Sequence, residues 1–224
     1  MIEIVATQPT NAFVLDVPEA YTVWSFELGN GDYISFEDYL DLDIENTYVE
    51  WENGRVVCYM ANNLVHQRIV GFLLRLFGLY LEKYPIGEII VAGYAMKLES
   101  QRRGRVPDLL FVSREHYDRL DPRFLNGAAD IAVEVISRES VKRDREIKFA
   151  EYRIAGVKEY WLIDPQQKLA EFYRLNGDGV YVVVDFENGE YCTPLLPAFF
   201  LRTEWLWRDE MPHGEAYKGL GLLG

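Results

Sequence analysis

The 224-residue chain has little cysteine, little positive charge and no long apolar run. Two cysteines, Cys58 and Cys192, without metal-ligand spacing, exclude a disulfide scaffold and a thiolate zinc site. Both lie in apolar or strand-like surroundings and are read as buried free thiols. No stretch of about 18 uninterrupted apolar residues occurs, and Met1–Gln8 places no basic segment ahead of an apolar run, so a soluble, cytoplasmic protein without membrane contact is expected. The 23 basic residues are outnumbered by 36 acidic ones, for a formal charge of −13. Such a surface repels polyphosphate at long range, so contact with nucleic acid would have to be local.

What is present supports a sizeable core: 49% of residues are hydrophobic and 14% aromatic. One domain is expected over residues 34–207, preceded by a lead (1–33) without clear periodicity and followed by a C-terminal tail (208–224). Ser35 with Asp38 three residues on reads as the capping box of a short helix. Tyr48–Trp51 and Arg55–Tyr59 flank Asn53-Gly54, a strong hairpin signal. From Asn62 or Asn63 onward, Val65, Ile69, Phe72, Leu73, Leu76, Phe77 and Tyr80 recur at helical spacing. Strand-like runs follow at 88–98, 106–112 and 131–136, then a helix from Val141 to Ala155, capped by Ser137 or Ser140 and stopped by Gly156. Further strands are expected at 160–163, 169–174 and 180–184, with Asp164-Pro165 and Asn176–Gly179 as turns. This order predicts an α/β (α+β) protein, a central mixed β-sheet flanked by helices, with an N-terminal β-hairpin. Trp51, Trp161, Trp205 and Trp207 sit in apolar runs and read as core or interface.

Two residues do not suit their surroundings. Asp108 and Glu134 each lie in a short, apolar, β-prone run, where a carboxylate loses hydration that only a cation or a metal replaces. Neighbouring carboxylates suit a hard cation such as Mg²⁺ or Mn²⁺, which also binds phosphate oxygens. Lys148 shares a helix face with Asp144 and Tyr152 and can bring an ammonium to Glu134. Basic groups flank both carboxylates: Arg102, Arg103 and Arg105 before Asp108, and Arg138, Lys142, Arg143 and Arg145 after Glu134. His66, followed by Gln67 at a helix start, can meet a metal-bound phosphate or shuttle a proton. Each reading has a rival. Glu134 and Lys148 or Arg138 can form a structural salt bridge, Asp108 can merely begin a strand, His66 can be a capping or surface residue, and the basic clusters can be solvated faces.

The chain also resembles a known family. Pro107-Asp108, Glu134–Ser137, Glu146–Tyr152 and Ala155–Asp164, in that order, with Val49–Gly54 and Asn63–Ile69 upstream and Leu195–Pro197 downstream, look like the Uma-type restriction endonuclease family of the PD-(D/E)XK nuclease superfamily. The resemblance covers roughly residues 34–207. It implies a restriction-endonuclease-like core with a metal site at the end of two adjacent strands, in which Asp108 and Glu134 are the superfamily's Asp and Glu and the Val135 carbonyl is a further ligand. The superfamily's lysine two residues after the Glu is replaced by Ile136, and Lys148 from the following helix matches the family's substitute. Glu50 matches its additional acidic residue. The implied activity is Mg²⁺- or Mn²⁺-dependent hydrolysis of nucleic acid, most simply DNA, by a homodimer, with His66, Gln67, Arg105 and Arg138 as possible substrate contacts. The aromatic segment Phe199–Trp207 offers apolar area for pairing. The alternative is an inactive member that binds nucleic acid or protein, or a partner within a mobile-element or defence system.

Overall fold

The computed structural model describes residues 24–26, 34–42, 48–59 and 63–223. β1 (Trp24–Phe26) pairs antiparallel with β3 (Arg55–Tyr59), which forms a hairpin with β2 (Tyr48–Glu52). Asn53 and Gly54 take φ of 48° and 87°, the left-handed values that a two-residue hairpin turn needs and that Asn-Gly supplies with little strain. β1 is a departure from the expected irregular lead; the rest of that lead, and Asn62, lie outside the described residues. Between β1 and the hairpin, α1 (Phe36–Leu40) carries the capping box: Asp38 N–H donates to Ser35 Oγ at 3.0 Å and Ser35 N–H donates back to Asp38 Oδ2 at 3.4 Å.

α2 (Leu64–Lys83) is capped by Asn63, whose Oδ1 accepts from His66 N–H at 3.0 Å. It is long and apolar enough to cross a membrane by length and composition. Its apolar face is Ile69, Phe72, Leu73, Leu76, Phe77 and Tyr80, all fully buried against the sheet, so the apolarity belongs to the core. The stretch 88–98 is two strands rather than one: β4 (Gly87–Val91) and β5 (Ala95–Leu98) go to different sheets. Gly93, at φ 109°, lies in the bend between them.

β6 (Arg103–Arg105) joins β2 to β5, and β8 (Phe124–Asn126) pairs with β5 in parallel, completing a first sheet of order β1-β3-β2-β6-β5-β8. The second sheet is built on β7 (Leu109–Ser113) and β9 (Ile131–Val135), antiparallel to each other, with β10 (Glu159–Asp164) parallel to β9. β11 (Leu169–Leu175) and β12 (Tyr181–Val183) follow as antiparallel strands, and the order is β12-β11-β10-β9-β7-β4. α2 covers one face of this sheet. α3 (Phe149–Ala155), ended by Gly156 at φ 86°, covers the other with β5 and β8 of the first sheet. The expected mixed sheet flanked by helices is therefore present, beside a second sheet that grows from the hairpin.

β13 (Glu190–Cys192) and β14 (Phe200–Arg202) form a small separate pair. On β13 the alternation buries Tyr191 and turns Cys192 outward, so Cys192 is an exposed free thiol and not the buried one expected. The Cys58 side chain lies outside what is described. Within the C-terminal segment, α4 (His213–Gly219) packs Ala216 into the α2 core. Phe199, Trp205 and Leu206 are buried in that same core, which removes most of the apolar area expected to support pairing of two copies.

Candidate active site

Strand register brings the two misfit carboxylates together. Leu109 of β7 stands opposite Val133 of β9, so one step back along the first strand and one step on along the second reach Asp108 and Glu134. Alternation sends Ile131, Val133 and Val135 into the α2 core, while Ala132 and Ile136 pack on the α3 side, where Glu134 also points.

Lys148 closes a π-helical turn, Arg143–Lys148, that continues directly into α3. Such widened turns re-aim side chains and recur at functional sites. Neither Ser137 nor Ser140 caps this helix through its side chain; Ser140 Oγ instead accepts from Ser137 N–H at 2.9 Å. Lys148 Nζ lies 2.7 Å from Glu134 Oε1 and 2.9 Å from Glu50 Oε1. Tyr152, one turn further on, donates its hydroxyl to the same Glu134 oxygen at 2.8 Å. Glu50 arrives from β2 of the other sheet, and its carboxylate also accepts from Val106 N–H at 3.1 Å and from Arg105 Nη1 at 2.7 Å. Asp108 Oδ2 accepts from Val135 N–H at 2.8 Å and stands 3.0 Å from His66 Nε2.

All of these groups are buried, and the charges decide their states. Burial pushes the Glu134 carboxyl up, the charges of Asp144, Asp108 and Glu50 push the same way, and against the opposing pull of Lys148 it stands at about 8. Burial would also push Glu50 up, but Lys148, Arg105 and Arg143 outweigh it and hold Glu50 down at about 2. Burial alone would discharge Lys148; Glu134 and Glu50 reverse that and hold it above the usual lysine range. Lys148 is therefore an ammonium, suited to stabilising negative charge rather than to acting as a base.

Glu50, Glu134 and Lys148 thus share one cluster, with Asp108 and His66 beside it. The other expected contacts are placed differently. Arg105 is fully buried and ion-paired with Glu50, Glu52 and Glu151, so no face of it is open to substrate. Gln67 is exposed and lines a groove of about 420 Å³ between α2 and residues 209–213, away from the inward-facing His66. Arg138 is exposed, three residues beyond Val135. Two groups had a sequence signal but no assigned role. Asp144 and Tyr152 repeat at four-residue steps about Lys148, and Asp144 is buried with Oδ1 lacking a hydrogen-bond partner among the described residues, 3.5 Å from Arg143 Nε.

The donor chemistry fits a hard divalent cation. Glu134 has three further carboxylates, Asp144, Asp108 and Glu50, close enough to raise it, and these carboxylates are the oxygen donors that such an ion takes. The spacing is that of an ion-paired site: among the described residues no three His, Cys, Asp or Glu groups are gathered as a metal centre, and Lys148 and His66 already meet the carboxylates.

Residues 36–204 match the Uma2 family, described as "Putative restriction endonuclease". The chain belongs to that family. Membership places it among proteins grouped as nucleases, enzymes that act on nucleic acid. The crystal structure of a "putative nuclease belonging to DUF820" from Anabaena variabilis ATCC 29413 is similar, with a TM-score of 0.64 at 17% identity over 78% of this chain and 97% of that one. At that identity the likeness carries the restriction-endonuclease-like fold. No curated protein matches.

Proposed function

We propose that this family member is a divalent-metal-dependent endonuclease acting on DNA. The observation that carries the reading is Lys148, a buried ammonium between Glu134 and Glu50 at the strand ends where Asp108 lies. Asp108, Glu134 and the Val135 carbonyl would hold Mg²⁺ or Mn²⁺. When bound, such an ion offsets charge on phosphate oxygens and lowers the pKa of water.

The chain's own residues do the rest. Lys148 presents a fixed positive charge to orient the attacking water and to stabilise charge developing on the phosphate. Glu50 holds that ammonium, and His66 holds Asp108 through Oδ2. Glu134, mostly protonated at neutral pH and half-ionised only near pH 8, would exchange a proton at its carboxyl in mildly alkaline solution, with Tyr152 fixing Oε1. Arg138 and Lys142, exposed just past β9, would contact phosphate. With a net charge of −13 over the whole chain, binding would be local and salt-sensitive. Two copies would let both strands of a duplex be cut in one encounter, and light scattering tests the homodimer.

One observation favours a second reading, an idle scaffold that binds nucleic acid or protein: Glu134, Glu50 and Asp108 are each already met by a protein cation or histidine. A divalent-ion titration against linear, supercoiled and single-stranded substrates separates the two. Cleavage that needs Mg²⁺ or Mn²⁺ and vanishes in Glu134→Ala supports the nuclease; metal-independent binding without cleavage supports the idle scaffold.

A further inference from the structure

We propose that Arg105 is a positioning residue for Lys148, acting through Glu50 on one side and Glu151 on the other. Its effect on catalysis rests on the nuclease reading above; its effect on the Lys148 ammonium does not. Arg105 is fully buried in β6, and its guanidinium is divided between elements distant in sequence. Nη1 donates to Glu50 Oε2 at 2.7 Å and also to Glu52 Oε1, both on β2. Nε and Nη2 grip Glu151 in a fork, at 2.7 Å to Oε2 and 2.9 Å to Oε1. Glu151 stands three residues beyond Lys148 on the same helical segment.

The two Glu50 oxygens are divided in turn. Oε2 goes to Arg105, while Oε1 takes Lys148 at 2.9 Å and Val106 N–H at 3.1 Å. Arg105 therefore fixes the acceptor that holds the ammonium, and through Glu151 it fixes the rotation of the helix that delivers it. Arg103 Nε supports the same Glu151 carboxylate at 2.8 Å, but from a more exposed position. A lysine at 105 would keep the charge and lose the planar fork, so it could not hold both carboxylates in one geometry. Buried ion clusters of this kind are not needed for stability as such, since apolar replacements often serve as well. What an apolar group cannot do is leave Glu50 ionised and aimed at Lys148.

The test uses the full chain with Arg105→Lys and, independently, Glu151→Gln, which keeps the helix side chain and weakens the fork along with the Arg103 contact. Two readouts are taken: the side-chain ammonium resonance of Lys148 in ¹H–¹⁵N spectra, and kcat and KM for DNA cleavage with Mn²⁺. Both variants are expected to shift or broaden the Lys148 signal, and kcat to fall by about 10- to 100-fold with KM unchanged, as for residues that orient a reacting group from behind. If Arg105→Lys does not fold, Glu151→Gln decides. An unmoved Lys148 signal with unchanged kcat in a folded variant overturns the proposal, and a raised KM at constant kcat returns Arg105 to the substrate-contact role. If the unsubstituted chain cleaves nothing, the nuclease reading falls while the ammonium signal still decides the positioning role.

Discussion

β9 carries a buried carboxylate at each end, and the two are driven in opposite directions. Asp130, one residue ahead of the strand, is met by Lys158 Nζ at 2.8 Å, by His116 Nδ1 at 2.9 Å and by Ser113 N–H at 2.7 Å. Burial pushes it up, yet these partners outweigh burial and hold it down at about 2. Glu134, at the other end, also has a lysine and a hydroxyl beside it, but three more carboxylates crowd it and it rises to about 8. Burial is common to both; the local sum of charges differs. One end is an ionic closure that stabilises the fold, and the other is a crowded carboxyl pushed toward its neutral form, the kind of perturbed group that marks a candidate functional site.

The sharpest way to break this contrast is to remove the cation at the crowded end. Lys148→Ala leaves Glu134 and Glu50 buried without their shared partner, and should cost about 3–5 kcal/mol in chemical denaturation as well as abolishing cleavage. Asp130→Asn removes the closure at the quiet end. A fall from the ordinary 3.8 to about 2 corresponds to about 2 kcal/mol, so urea melts at neutral pH should lose about that much while cleavage persists.

The pH dependence should divide the same way. Asp130 binds its proton less tightly folded than unfolded, so its contribution is present above the ordinary carboxylate range and fades as pH drops from about 4 toward 2. Glu134 binds its proton more tightly folded, so stability declines as pH rises from the ordinary 4.5 toward about 8. Asp130→Asn should therefore flatten the acid limb of a stability-against-pH curve, and Glu134→Gln the limb between those two values. An unchanged upper limb in Glu134→Gln would show that the crowding does not act on this group. The smallest effect is expected at the surface: Arg138→Ala should weaken DNA binding uniformly across sequences and reduce the slope of log affinity against log salt by about 1.

Local chemistry was legible in the sequence wherever the chain acts on its near neighbours. The Asn53-Gly54 turn, the Ser35–Asp38 capping box, the Asn63 cap with its long apolar face and the stop at Gly156 are all contacts within a few residues. Asp108 and Glu134 stood out because a carboxylate in an apolar strand conflicts with its own surroundings. What pairs with them is long-range. Glu50, Arg105 and Glu151 meet across separations of 46 and 55 residues, and no spacing announces that an arginine next to a basic run is buried among glutamates. The division of 88–98 between two sheets was likewise hidden, because both halves are equally strand-like and the bend at Gly93 shows only in tertiary context. Phe199–Trp207 was mistaken for available surface because α2 and α4 cover it from opposite sides of the sequence.

The most direct measurement is nicking of a supercoiled plasmid by the purified chain, with Mg²⁺ or Mn²⁺ and with EDTA, set beside Lys148→Met. The account predicts metal-dependent cleavage that falls by at least about 100-fold in a variant retaining the native circular-dichroism spectrum. Cleavage of equal rate in the folded Lys148→Met protein, or none by the unsubstituted chain with either ion, would contradict it.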